Sequence, residues 1–420
     1  MKKYINLYNY YKDKIINEQL IYGDRMPSIR ENLKLFNISK TTVENAYFSL
    51  QADGYIISKP KSGYFVCYKS TCKELNNNLS KSKIKIKYDL KNGLADKSCF
   101  DIKLWQKYIK NTLRQQDRLL SYSEPQGEYD LRVELSKYIR TKRNVITSPD
   151  RIIIGAGIQT LLHILASLFE NYKTVSFPDK SFYQGISLFN DYGYNVKTRY
   201  KDADIIYVCP SHMTSFGNVM PISRRIELVN YSKSHNSIVI EDDYDNDFVY
   251  QSTPTPSLYA LSGGSNVIYI GSFSNVLIPG IRISFMVLTE NLMNLYNNNI
   301  DKYAQTASKT EQIALSQYIR DGHINTQSKK ISRLYTNKTK IFYKKIIEQM
   351  PNVKCNISEN GLQIKLTTFF NKDLNVFKKN NLLVEIEKYN NNSINLILTP
   401  SSIPSDEIDT VVNLLKKSLE

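Results

Sequence analysis

Residues 271–285 read GSFSNVLIPGIRISF. The segment follows an apolar stretch, 266–271, that reads as a strand. Four more such strands are expected at 151–155, 173–177, 204–209 and 236–241, with helical stretches between them. Strands alternating with helices predict an α/β body, a mainly parallel sheet covered by helices. Within the segment the informative letter is Asn275. A carboxamide has no nitrogen lone pair available to condense with an aldehyde, so residue 275 cannot act as an amine nucleophile.

Two further stretches lie where ligands bind in such sheets. Residues 152–159 (IIIGAGIQ) run as a buried strand into Gly155-Ala156-Gly157, followed by a helix with Leu161, Leu162, Leu165 and Leu168. Backbone amides at a helix start can hold a phosphate. Residues 240–248 (IEDDYDNDF) put a cluster of acids at the C-terminal end of another strand. That is where α/β proteins place ligands, although an acidic turn that only binds solvent has the same letters.

With these residues in view, 271–285 resembles the GTFSK-x-L-x-P-x-x-R-x-G stretch of the fold-type-I aminotransferases, whose lysine forms a Schiff base with pyridoxal 5′-phosphate (PLP). Ser272, Phe273, Ser274, Leu277, Pro279 and Arg282 are all present, and Asn275 stands in the lysine's place. From residue 88 onward the chain resembles the aminotransferase-like domain of MocR/GabR-type regulators. The stretches that carry this resemblance are Gly93-Leu94-Ala95-Asp96 with Leu104-Trp105, Tyr122 to Gly127 with Leu131-Arg132, Cys209-Pro210-Ser211-His212 with Gly217 and Arg224-Arg225, Gly322-His323, and Arg333-Leu334-Tyr335. Residues 240–248 nearly match the family's I-E-D-D-Y-D-S-E-F. By resemblance, Asp242 faces the pyridine nitrogen of PLP and Tyr244 its phenolic oxygen. Ser272, Ser274 and Arg282 hold the phosphate. A carboxylate beside that nitrogen favours its protonated form, which makes the ring an electron sink.

The chain departs from the pattern in three places. Met213 replaces a glutamine and Ser215 a proline. The stretch 385–403 (EIEKYNNNSINLILTPSSI) has no arginine for a substrate carboxylate, and Ile397 or a neighbour takes that position. The missing lysine and the missing carboxylate clamp together argue against transamination, so no catalytic residue is assigned.

The N-terminal region carries its own pattern: Tyr22-Gly23-Asp24-Arg25-Met26-Pro27-Ser28-Ile29-Arg30-Glu31, then Asn37-Ile38-Ser39-Lys40-Thr41-Thr42-Val43, Ala46-Tyr47, Asp53-Gly54-Tyr55-Ile56 and Lys61-Ser62-Gly63-Tyr64-Phe65-Val66. Ser28 with Glu31 three residues on predicts a capping box. Ser39 predicts the cap of a second helix, in which Val43, Ala46, Tyr47 and Leu50 share one apolar face. Gly54 predicts its left-handed end. Two short strands around Lys59-Pro60-Lys61-Ser62-Gly63 form a hairpin. This order resembles the GntR-type winged helix, which implies a double-stranded DNA operator as partner. The expected DNA-facing residues are Ser28, Arg30, Ser39, Lys40, Thr41, Thr42, Lys59 and Lys61, with Glu44 and Asn45 on the same polar face.

Composition adds less. The 420 residues carry a net charge of +16, but residues 1–70 hold 11 basic against 6 acidic side chains, an excess of only 5. Abundant Lys, Asn, Ile and Tyr is a bias that an AT-rich genome also produces. The five cysteines, Cys67, Cys72, Cys99, Cys209 and Cys355, show no metal-site spacing and read as reduced thiols of a cytoplasmic protein. There is no apolar run of membrane-spanning length. Residues 70–88 are polar and basic, a linker composition.

The expected architecture is a winged helix over 1–70, a flexible linker over 71–90, and a fold-type-I body over 91–420 with a small C-terminal α+β subdomain from about 325. Three readings of function follow. One is a transcriptional regulator whose body forms a homodimer and senses a small-molecule effector, with PLP, if held at all, bound non-covalently. The second is a PLP enzyme with a DNA-binding extension. The third is a structural dimerisation body with a vestigial pocket.

Overall fold

The computed structural model describes residues 3–69, 86–91, 95–96, 98–169, 172–244, 255–390 and 392–420. Most of the expected linker (71–85), Cys72, Gly93, Leu94 and Asp245 to Phe248 lie outside the described residues. The chain divides into two compact units between residues 84 and 85.

The first unit has helices Lys3–Ile16, Ile29–Phe36 and Lys40–Ala52 and an antiparallel hairpin of Ile56–Lys59 with Gly63–Val66. The expected caps form. The Ser28 hydroxyl accepts from the Glu31 amide at 3.2 Å, and the Ser28 amide donates to the Glu31 carboxylate at 2.6 Å. Ser39 accepts from the Thr42 amide at 3.3 Å. Gly54 sits at φ +77°, where a side chain would be strained. Val43, Ala46, Tyr47 and Leu50 are fully buried against Leu7, Tyr11 and Ile15 of the first helix, which the sequence pattern had not singled out. One polar group enters this core. Asn32 accepts from the Tyr11 hydroxyl at 2.6 Å and donates to the Tyr47 oxygen at 2.9 Å, while Tyr47 donates to the Pro27 carbonyl at 2.7 Å. With every member partnered, this network ties the first helix to the other two rather than costing a desolvated amide.

The second unit is built on a seven-stranded sheet. Its strands run in the order Ile152–Gly155, Ser284–Val287, Val267–Ser272, Ile238–Asp242, Ile205–Val208, Thr174–Phe177, Asn195–Thr198. Ser284–Val287 is antiparallel to both neighbours, and the remaining pairings are parallel. All five expected strands are present, and Asn195–Thr198 and Ser284–Val287 are additional. Apart from the edge strand Asn195–Thr198, the sheet is largely buried on both faces, and alternation assigns its residues. Ile152, Ile154, Val239, Val267, Tyr269, Phe285 and Val287 join one core, whereas Ile153, Ile240, Ile268, Ile270 and Met286 join the other. Two helical layers are what such double burial requires.

A four-stranded antiparallel sheet follows, ordered Lys354–Ile357, Ile364–Phe369, Ser393–Leu398, Glu385–Asn390. The 27-residue helix His323–Gln349 serves both parts of the unit, with Ile324, Ile331 and Tyr335 in the main core and Phe342 and Ile346 in the smaller one. Tyr88–Asp89 pairs in parallel with Leu382–Leu383, and Tyr88 and Leu90 are buried in the smaller core. The end of the expected linker is therefore built into the body, because two apolar side chains there outweigh the polar composition around them.

Candidate functional site

A cavity of about 660 Å³ opens at the C-terminal ends of the parallel strands. Asp242, Tyr244, Ser272, Ser274, Asn275 and Arg282 all line it. One end is a cradle. Ser284 lies opposite both Ser272 and Gly155 in the antiparallel register. Its hydroxyl donates to Ser272 at 3.1 Å, Ser272 donates to the Ser274 hydroxyl at 3.2 Å, and the Ser274 amide points at Ser272 at 3.3 Å. Gly157, at φ +91°, opens the helix Ile158–Leu168. A Cβ built there would fall 2.5 Å from a terminal nitrogen of Arg282. The guanidinium thus lies directly over a glycine that a side chain would displace. The start of that helix, the Ser274 hydroxyl at the end of the serine relay and the Arg282 guanidinium all line this end of the cavity, a donor set that suits a phosphate.

The opposite wall carries Asp242, buried at the end of its strand, with the Tyr207 hydroxyl donating to it. Burial, then the adjacent Asp242 charge, pushes the Tyr207 hydroxyl well above its ordinary value, so Tyr207 stays a proton donor and Asp242 its acceptor. Phe182 stacks on Tyr207 with centroids 5.4 Å apart and rings 28° from parallel, and both face the cavity. Strand alternation turns the neighbouring acids to the other side. Glu241 accepts from the amides of Leu258 and Tyr259 at 2.8 and 2.9 Å. Asp243 takes Arg143 at 2.6 Å, the Tyr269 hydroxyl at 2.9 Å and the Ser211 hydroxyl at 3.0 Å. Of the described acids in this cluster only Asp242 faces the cavity. The other two hold the scaffold.

The lining also includes His212, Gln363, Glu385, Thr399, Ser401 and the exposed Lys91. The His212 and Tyr244 rings lie 5.5 Å apart. Ile397, expected near the position of a substrate-carboxylate arginine, is 1% exposed inside its strand and is not part of the lining, whereas Thr399 and Ser401 are. Thr399 and Ser401 lie beyond the strand's last residue, Leu398, where the chain has turned into a short 3-10 segment and no longer follows the strand's alternation. Sequence reading missed Phe182, Tyr207 and Ser284. For Tyr207 the one available signal was a polar-tipped aromatic in a buried strand.

In the first unit Arg30, Lys40, Thr41, Lys59 and Lys61 are exposed, and Thr42 is half-buried. Lys40 pairs with Glu44 at 3.5 Å, and Lys59 lies 4.6 Å over the Phe65 ring. Ser28 and Ser39 are occupied as caps. Cys67, Cys99, Cys209 and Cys355 are free thiols. No described helix is long and apolar enough to cross a membrane.

Fold and cavity together define a helix-turn-helix domain joined to an aminotransferase-type body. The family described as bacterial regulatory proteins, gntR family, matches residues 3–66, and aminotransferase class I and II matches residues 94–389. The HTH-type transcriptional regulator YdeL of Bacillus subtilis is 31% identical over 388 residues, covering 87% of this chain and 84% of its own. YhdI of the same organism, also an HTH-type transcriptional regulator, is 32% identical over 390 residues, covering 87% and 83%. The probable rhizopine catabolism regulatory protein MocR of Rhizobium meliloti is 24% identical, covering 80% and 75%. Among solved structures, an archaeal alanine:glyoxylate aminotransferase aligns with a TM-score of 0.69 at 18% identity, covering 82% of this chain and 93% of its own. LysN, the α-aminoadipate aminotransferase of Thermus thermophilus, solved with N-(5′-phosphopyridoxyl)-L-leucine, aligns at 0.65 and 20%, covering 80% and 92%. At those identities the structural likeness speaks for the fold. The chain belongs to the MocR-type transcriptional regulators, in which a gntR-family DNA-binding domain precedes an aminotransferase class I and II body.

Proposed function

We propose that this regulator binds its operator through residues 1–70 and uses the body over 91–420 as a homodimerising, non-enzymatic sensor of a phosphorylated pyridine compound. The observation that carries the reading is a complete cradle beside an asparagine. Gly157, Ser272, Ser274 and Arg282 suit a phosphate, Asp242 suits a ring nitrogen, Tyr244 suits a ring hydroxyl, and Asn275 offers no amine. PLP, where bound, supplies an electron sink; these side chains hold and orient it, and no covalent link fixes it. On the DNA side, Arg30, Lys40, Thr41, Thr42, Lys59 and Lys61 contact the duplex, while Ser28 and Ser39 set the helix ends that aim them. The protein acts in the cytoplasm, where its DNA is.

Dimerisation is supported by one stretch of the body. Leu113, Leu120, Tyr122 and Tyr129 are 54%, 87%, 101% and 50% exposed within 17 residues of chain. Large side chains with apolar bodies left this exposed within one short stretch are candidates for cover by a partner. The deciding experiment is chemical. The full-length protein is incubated with PLP, reduced with borohydride and weighed intact. The expected result is no mass added at residue 275 and no turnover of any amino acid. Turnover by the unmodified chain returns the reading to an enzyme with a DNA-binding extension.

A further inference from the structure

We infer that the cavity selects the amine form of the cofactor, pyridoxamine 5′-phosphate, over the aldehyde. This rests on the pocket reading above and deepens it. In a 5′-phosphorylated pyridine of this class the 4′ substituent lies across the ring from the nitrogen and next to the phosphate arm. With the phosphate in the cradle of Ser272, Ser274 and Arg282, and the nitrogen toward Asp242, the 4′ group points away from Asp242. It is directed to the chain that continues from Ser274, which is Asn275, a half-buried lining residue.

The chemistry at that point distinguishes the two forms. An aldehyde gains its affinity in such a site by condensing with an amine and losing water, and Asn275 cannot supply the amine. It meets only a neutral amide. An aminomethyl group is an ammonium ion at neutral pH, because a primary alkylamine titrates near 10. It donates to the Asn275 carboxamide oxygen in a charge-assisted hydrogen bond. A lysine at 275 would instead face that ammonium with a like charge. The lysine of the described lining is Lys91, which is exposed, and its charge acts to lower the Glu385 pKa against the raising effect of burial. Exchange of lysine for asparagine therefore converts a covalent aldehyde trap into a reversible amine receptor. The regulator then reports the aminated share of the cofactor pool, which rises when transamination runs toward the amine.

The test is calorimetric titration of the full-length protein with pyridoxamine 5′-phosphate, PLP and pyridoxine 5′-phosphate, whose 4′ group is a neutral alcohol. Pyridoxamine 5′-phosphate is expected to bind about tenfold more tightly than the other two, the scale of one charged hydrogen bond. Asn275→Lys should weaken the amine form by about tenfold. The same variant should let PLP condense with loss of one water and be fixed by borohydride, seen by intact mass. Asn275→Leu, which removes the acceptor without adding charge, should erase the preference while leaving all three ligands dependent on Arg282. Equal or tighter binding of PLP by the unmodified protein, still abolished in Arg282→Ala, overturns this inference and leaves the pocket reading standing. Fixation of PLP at Lys91 also overturns it. If none of the three ligands binds, the pocket reading falls as well.

Discussion

Arg282 lies across Gly157, so close that a Cβ on the glycine would come within 2.5 Å of the guanidinium, although the two residues belong to different loops. The glycine's φ of +91° adds a backbone reason for the same residue. Gly157→Ala is expected to push the guanidinium out of the cradle and to cost about 1 kcal/mol or more of stability. The change should appear as at least a tenfold loss in phosphate-ligand affinity by calorimetry, with the far-ultraviolet dichroism unchanged. Arg282→Ala should abolish the binding, since a dianion without its guanidinium loses a charge-assisted pair. Undiminished affinity in either variant would show that the phosphate is held elsewhere.

The DNA face separates into contacts and supports. Arg30→Ala and Thr41→Ala, both at exposed positions, should weaken specific binding while leaving the domain folded. Loss of a phosphate contact by Arg30 should reduce the salt-dependence slope by about one unit. Anisotropy titrations at several salt concentrations, on a duplex selected from a random pool, measure both. Ser28→Ala should behave differently, lowering the stability of the domain by about 1 kcal/mol because it removes a helix cap. Specific binding that survives deletion of 1–70 would contradict the assignment.

The exposed stretch around Leu120 and Tyr122 should be covered in solution. Sedimentation of the full-length chain at micromolar concentration is expected to show a dimer, and Leu120→Asp with Tyr122→Asp a monomer, because two carboxylates would then have to be desolvated in the contact. A dimer unaffected by both changes places the interface elsewhere.

Glu241 makes the body sensitive to pH. Burial, and then the Asp243 charge, pushes its carboxyl up to about 7 from an ordinary 4.5. The native state then binds more protons than the unfolded one between those values. Its contribution to stability is greatest below pH 4.5 and is lost as pH rises through about 7. Compared with Glu241→Gln, the unmodified protein should lose thermal stability more steeply from pH 5 to 8. Parallel profiles would show that Glu241 is ionised in the native state throughout.

Local order was legible in the letters. The caps at Ser28 and Ser39, the stripe Val43, Ala46, Tyr47 and Leu50, the left-handed Gly54 and five of the seven strands of the large sheet follow from spacing and periodicity, which act within a few residues. So does the identity of residue 275, a chemical fact that no packing alters. Tertiary structure alone decided which groups meet. Ser284 reaches Ser272 through an antiparallel strand that sequence reading did not anticipate. Tyr207 donates to Asp242 across 35 residues of chain. Glu241 and Asp243 turn away from the cavity that Asp242 enters, and Tyr88 and Leu90 leave the linker for a core. Each of these outcomes depends on strand register and on which face of a sheet a side chain occupies. Register is set by the packing of whole layers against one another, and a single residue's shift inverts it.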